Sequence, residues 1–182
     1  MKTIALSSKN KVNNNGKYFA IVDDDLYDDL IKYNWSISNN GYAQRRIIKP
    51  DGSKSTISMH RQIMELTFGD NKCVDHINGN RLDNQKSNLR VCTHTENLHN
   101  SKISKRNKSG AKGVFHQCIK YETKNGITYK YYWRASIMYN RKLIYLGVFS
   151  DTDEGFELAK KAYNDAAKKY YGQFAYLNPW FS

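Results

Sequence analysis

Residues 73–94 read CVDHINGNRLDNQKSNLRVCTH. Asp75 sets a carboxylate directly beside the His76 imidazole, and asparagines follow at 78, 80, 84 and 88. Hard divalent cations prefer carboxylate and amide oxygens, with water and a substrate phosphate completing the shell. An imidazole can take a proton from an attacking water near neutral pH. A cation held at Asp75 would stabilise charge on the phosphate and on the leaving oxygen. The chemistry these residues suit is therefore metal-assisted hydrolysis of a phosphodiester. One geometric condition attaches to it. Neighbouring residues of a regular strand point to opposite faces, so Asp75 and His76 serve one site only if the chain turns or bulges there. Asn78-Gly79-Asn80 supplies residues for such a turn.

The elements that must position these groups read strand (CVDHI), polar loop, strand (LRVCT) and helix (HTENLHNSK), within a core expected over 69–101. Residues 1–68 form a β-rich module ahead of it. Its strands are YFAIV, then NWSIS and GYAQRRII around Asn39-Asn40-Gly41, a hairpin signal. DDDLYDDLIKY reads as a short helix with its acids at the positive N-terminal end. A second helix is expected to start near Ser58 and carry MHRQIMELTF. Residues 102–111 are basic and contain Ser and Gly, which fits a flexible linker whose Lys105, Arg106 and Lys108 lie along phosphates. Residues 112–182 hold the strands GVFHQCIKYE, TYKYYWRASIMY and KLIYLGVF, then a helix over 153–171. Asp151 or Thr152 is its N-cap and Gly172 its stop. The fold class is α+β.

Composition narrows the partners. The 182 residues carry 29 Lys+Arg against 17 Asp+Glu, a formal charge of +12, although five acids cluster in VDDDLYDD. Such a surface favours a polyanion, usually nucleic acid. Three cysteines without a Cys-x-x-Cys pair argue against a structural zinc site and for a reducing, cytoplasmic compartment. The apolar run of MKTIALSSKNKVNN is too short for a signal peptide, and no segment has the composition of a membrane span.

VDHINGNRLDNQKSNLRVCTHTENLHN resembles the HNH endonucleases with a ββα-metal fold, in the phage and intron homing variety; the preceding MHRQIM matches that variety too. The resemblance implies His76 as general base, Asp75 as metal ligand, Asn88 as the residue that holds the loop and orients His76, and Asn97 as second ligand. Asn97 stands where the family name has its last His, and His94 and His99 lie close by. Gln85 stands where relatives often carry Arg. Mg²⁺ is the implied cofactor, with Mn²⁺ as a substitute. His60 and Arg61 either approach the scissile phosphate or pair with the acidic block.

Farther on, Lys112-Gly113-Val114, Trp133-Arg134-Ala135, Leu146-Gly147-x-Phe149, Ala162-Tyr163-Asn164 and Ala175-x-Leu177-Asn178 resemble the APETALA-type (ethylene-response-factor) DNA-binding domain. That resemblance implies three antiparallel strands backed by a helix, with the sheet in the major groove. Alternation then sends Trp133, Ala135, Ile137, Ile144 and Leu146 to the helix. Lys130, Tyr132, Arg134, Ser136, Met138, Arg141, Leu143 and Tyr145 go to DNA, and Lys112, Phe115 and Gln117 match contact positions on the first strand.

The expectation is a monomeric, site-specific homing endonuclease that acts on double-stranded DNA and nicks one strand by a one-metal mechanism. Bacterial or phage-infected cytoplasm is the expected setting, and no membrane is involved. A non-catalytic DNA-binding regulator is the alternative, separated from it by metal-dependent plasmid cleavage. An RNA-binding protein fits the charge but not the Asp-His stretch.

Overall fold

Apolar residues at Ile4 and Leu6, and at Ala20 and Val22, alternate with more exposed ones, so one face of each segment turns inward. These segments are β1 (Lys2–Leu6) and β2 (Tyr18–Val22), paired antiparallel. The computed structural model describes residues 1–7, 18–67 and 69–180. It divides into two compact units, Met1–Leu98 and His99–Ser182.

In the first unit α1 (Asp24–Leu30) follows β2, with Asp24 and Asp25 in its first turn, where the helix dipole favours negative charge. The Trp35 indole N–H donates to the Leu30 carbonyl at 2.8 Å and closes the far end. β3 (Ser36–Ile37), β4 (Ala43–Ile48) and β5 (Lys54–Ser58) form a sheet in the order β3-β4-β5. The Asn39-Asn40-Gly41 turn joins the first two, with Gly41 at φ +78°. β5 has no sequence signal, because KSTIS is mostly polar; its pairing with β4 makes it a strand.

α2 (Met59–Ile63) starts where expected but has only five residues. The expected continuation through MELTF does not occur. Glu65 takes φ +55°, and Arg61 donates to the carbonyls of Thr67 (2.8 Å) and Lys72 (2.9 Å), folding the chain back. β6 (Cys73–His76), β7 (Leu89–Cys92) and α3 (His94–His99) follow. Val74 and Leu89 share one core with Ile4, Leu6, Val22 and Met59. Residues 1–68, expected as a module of their own, are therefore packed into the same core as the Asp-His strands. Further ties come from Ile21, whose N–H donates to the Leu82 carbonyl and whose carbonyl accepts from Asn84, each at 2.8 Å.

The second unit is a three-stranded antiparallel sheet of β8 (Val114–Thr123), β9 (Gly126–Tyr139) and β10 (Lys142–Phe149), in the order β10-β9-β8. α4 (Asp153–Tyr171) packs on it through Ala159, Tyr163 and Ala167 against Val114, Ala135 and Ile137. Of the two candidate caps, Thr152 is the one used: its hydroxyl accepts from the Gly155 N–H at 3.0 Å. Trp133, Ile144 and Leu146 pack against this core, on the side assigned to them. Arg141, assigned to a strand, instead sits with Asn140 in the two-residue turn between β9 and β10, both at positive φ. Residues 107–111, assigned to a flexible linker, form a bonded loop. The Ser109 hydroxyl donates to the Val114 carbonyl at 2.7 Å, the Asn107 amide donates to the Ala111 carbonyl at 2.9 Å, and Ala111 is buried.

The chain after α4 is held by a buried amide pair. Asn164 donates to the Asn178 carbonyl (2.9 Å), and the Asn178 N–H donates back to the Asn164 side chain (2.8 Å). Lys160, on the helix and superficially a surface residue, is buried, with its ammonium on Glu157 (2.6 Å) and the Pro179 carbonyl (2.9 Å). No helix among the described residues is long and apolar enough to cross a membrane.

Gly113 is where the backbone approaches α4 most closely. A Cβ there would lie 2.1 Å from the Tyr163 ring and 2.6 Å from the Ser136 carbonyl oxygen, at φ +71°. Gly110 has a similar φ of +77° but open space around it. Gly113→Ala is expected to destabilise the protein by about 3 kcal/mol or more, and Gly110→Ala by only about 1–2 kcal/mol, the cost of a left-handed residue alone. Urea denaturation of the two variants measures the difference.

Candidate active site

β6 and β7 pair with a continuous register that sets Cys73 opposite Cys92, Asp75 opposite Arg90 and His76 opposite Leu89. The pairing therefore contains no bulge. His76 ends β6 and opens the turn, its carbonyl accepting from the Gly79 N–H, so the chain leaves the strand at the pair itself, and both side chains are buried.

The loop after His76 is built from asparagines. The Asn88 side-chain oxygen accepts from the Asn78 N–H (3.0 Å), and its NH₂ donates to Asn78 Oδ1 (3.1 Å) and to the Asp83 carbonyl (2.9 Å). The Ile77 N–H donates to the Asn88 carbonyl at 2.9 Å. Asn78 in turn donates to Asp83 Oδ2 (2.7 Å) and accepts from the Asn80 N–H (2.8 Å). Gly79, at φ +67°, lets its N–H reach back to the His76 carbonyl at 2.8 Å. Asn88 thus spans the loop and closes it directly after His76.

Around the His76 imidazole stand Tyr42 and His60, with ring centroids 5.8 and 5.1 Å away, and Tyr42 and His60 lie 5.0 Å apart. Burial lowers the His76 pKa, while the Asn84 side chain and the Asp75 and Asp83 carboxylates oppose that shift. His60 falls to about 3 through burial, then through the nearby His76 and Arg61. Both rings are held as neutral imidazoles at pH 7, the form a proton acceptor needs.

Across the strand pair Arg90 donates through Nε (2.9 Å) and Nη2 (2.6 Å) to Asp75 Oδ2. Asn97 lies on α3, whose start is fixed by a reciprocal cap: the Thr93 N–H donates to Glu96 Oε2 (2.7 Å), and the Glu96 N–H donates to Thr93 Oγ1 (3.2 Å). Asp75 and Asn97 offer a carboxylate and an amide oxygen, which suits a hard cation with an otherwise water- and phosphate-filled shell. Arg90 competes with a cation for Asp75 Oδ2. Among the described residues no cluster of three or more His, Cys, Asp or Glu side chains has the arrangement of a metal site. Oxygen donors of this kind suit a hard divalent cation rather than zinc.

The expected DNA contacts divide. Phe115, Gln117, Lys130, Tyr132, Arg134, Met138 and Tyr145 share the sheet face opposite α4, by alternation and by the pairs Phe115–Arg134, Gln117–Tyr132 and Leu143–Met138. The Arg134 guanidinium lies 5.4 Å from the Phe115 ring and 5.5 Å from the Tyr145 ring. Lys105, Arg106 and Lys108 are exposed. Three assignments need correction. Ser136 is on the right face but buried, so its hydroxyl cannot reach a base. Lys112 spends its ammonium on the carbonyls of His99 (2.8 Å) and Ser101 (2.7 Å), and burial lowers its pKa to about 8. Arg61 neither contacts the acidic block nor stands free for a phosphate; it braces the chain after α2.

Residues 58–99 match the HNH endonuclease family. The matched segment takes in α2, with His60 and Arg61, as well as the Asp-His strands and all of α3. An uncharacterized HNH endonuclease of Acanthamoeba polyphaga mimivirus is 33% identical over 117 residues, covering 62% of this chain. The match spans 59% of that relative's length. No solved structure matches the chain. The family suggests a nuclease.

Around the Asp-His pair, sequence reasoning missed Arg90, Tyr42 and Asn84. Arg90 carries a usable signal: aligning CVDH antiparallel to LRVC puts it opposite Asp75. Tyr42 is distant in sequence and has none.

Arg90→Ala is expected to cost about 3–5 kcal/mol, because it leaves the Asp75 charge buried without its guanidinium; thermal denaturation checks this. His60 adds a pH dependence of stability. Its folded pKa is depressed, so the unfolded chain takes up the proton first and stability falls as pH drops from about 6.5 toward about 3, by up to about 1.4 kcal/mol per pH unit. The difference between wild type and His60→Gln, followed by denaturation across that range, should have this slope.

Proposed function

We propose that the chain is a site-specific DNA endonuclease that hydrolyses a phosphodiester by a one-metal HNH mechanism. The observation that carries the reading is the Asn88 clamp closing the loop directly after Asp75-His76, inside the segment that matches the HNH endonucleases. In this reading Asp75 and Asn97 hold a divalent cation, Mg²⁺ or Mn²⁺, which supplies Lewis-acid stabilisation of the phosphate and of the leaving oxygen. His76, kept neutral by burial, accepts the proton of the attacking water. Asn88 fixes the backbone on which that imidazole stands. Tyr42 and His60 wall the ring and limit its rotation.

The second unit supplies recognition: its sheet face opposite α4 carries Phe115, Arg134 and Tyr145 toward duplex DNA, and Lys105, Arg106 and Lys108 meet phosphates. Separate cleavage and recognition suit a homing enzyme. The chain has one Asp-His motif and no leucine heptads to force a dimer, so we infer a monomer that nicks one strand. A non-catalytic DNA-binding regulator is the second reading. One observation favours it, the engagement of Asp75 by Arg90.

Cleavage of supercoiled plasmid with Mg²⁺ tests the proposal. Open circles should precede linear product, and chelation of the metal should stop the reaction. His76→Ala should lose about 10²–10⁴-fold in rate while keeping DNA affinity. Because burial lowers the His76 pKa, the rate should hold down to below about pH 6.5 before it falls. DNA binding without any cleavage, or full activity in His76→Ala, would favour the regulator reading.

A further inference from the structure

β9 outruns its neighbour β10. β10 pairs with residues 133–139 of β9, whereas β8 pairs with residues 126–135. From 126 to 132 β9 therefore has only β8 beside it, and these residues and their partners 117–123 form a bare two-stranded ribbon. None of them belongs to the core beneath α4. At about 3.3 Å per residue, seven paired positions reach about 23 Å beyond the three-stranded sheet.

The ribbon is unusual in what it exposes. Ile119, Tyr121, Ile127, Tyr129 and Tyr131 are each 42–55% accessible. Ile119 and Tyr121 lie on the face that continues Phe115 and Gln117; Ile127, Tyr129 and Tyr131 lie on the other. An isolated ribbon is marginally stable in water, and this one gains no second layer to cover its apolar load. Its charge says what kind of surface would cover it. Lys120, Lys124 and Lys130 stand against the single acid Glu122. Lys130, opposite Ile119, shares the face of Tyr132 and Arg134, while on the reverse side Lys120, opposite Tyr129, meets Glu122 at 3.4 Å, which leaves Lys124 and Lys130 as the unpaired excess among these four charges.

We propose that this distal ribbon is a DNA-binding arm, which lengthens the contact made by the sheet and follows the groove beyond it. The inference rests on DNA as the substrate. Its outer face is continuous with the Phe115–Arg134–Tyr145 face, so one surface runs from the three-stranded sheet onto the arm. The right-handed twist of a two-stranded ribbon suits it to follow a helical groove. Lysines on both faces then reach phosphates on both sides of that groove, while the tyrosines and isoleucines pack on sugars and base edges.

The test uses the full chain on a duplex selected from a random pool by the wild-type protein, read by hydroxyl-radical footprinting. Replacing residues 119–130 with an Asn-Gly turn removes five paired positions and should shorten the footprint at one end by about 5 base pairs, at 3.4 Å per base pair. The milder double variant Lys120→Gln/Lys130→Gln, at exposed positions, should reduce the slope of log affinity against log salt by about 2. An unchanged footprint and salt slope would overturn the arm while leaving the endonuclease reading intact. The same holds if the ribbon variants turn a wild-type dimer into a monomer, by light scattering, without altering the footprint, because the ribbon would then join two copies of the chain. A wild-type protein that neither binds nor cuts DNA would overturn both.

Discussion

The arrangement at the HNH segment depends on one primary amide. Asn88 can donate twice and accept twice, and it spends donors and acceptor on the loop between β6 and β7. The loop has little apolar content of its own, so packing cannot hold it. Hydrogen bonds must, and they hold only if every buried polar group in the set is matched. A carboxylate of the same size could accept from Asn78 but could not donate to the Asp83 carbonyl. An apolar residue would take these partners from the Asn78 N–H and the Asp83 carbonyl, and one of two donors from Asn78 Oδ1. That requirement explains why the stretch is so rich in asparagine and why His76 ends its strand in one orientation.

The same economy governs charge. The acids of the VDDDLYDD cluster are largely used locally: Asp23 accepts the Lys86 N–H at 2.7 Å, Asp24 meets the chain's amino group, and Asp29 pairs with Lys32. Asp75 is committed to Arg90. The positive excess left over therefore faces solvent from Lys105, Arg106, Lys108 and the β8–β9 strands, where it can steer a polyanion.

How much of this could be read from the residues depended on the range of the interaction. α4 and the strands over 114–149 follow from local periodicity, and Thr152 and Gly172 mark the helix ends through cap chemistry that acts over a few residues. The Asn88 clamp is also local, spanning ten residues. What escaped is non-local. β5 exists because β4 pairs with it, not because KSTIS favours a strand. α2 stops early because Arg61 finds carbonyls farther along the chain. Alternation assigns Ser136, and the resemblance assigns Lys112, to a binding face, yet tertiary packing buries one hydroxyl and diverts one ammonium inward. Alternation tells which way a side chain leaves the strand, not what it meets there.

Val74 and Leu89 pack in the same core as Ile4, Leu6 and Val22. The Asp-His segment is thus not a cassette. Excised at the limits of its motif, it would expose the apolar sides of both its strands and lose the Ile21 backbone contacts that hold the asparagine loop. A gene fusion that transplanted it alone would carry the reactive residues without their footing. The smallest portable unit begins at β1, and recombination that exchanges the second unit has its natural seam at the end of α3, near the division between Leu98 and His99.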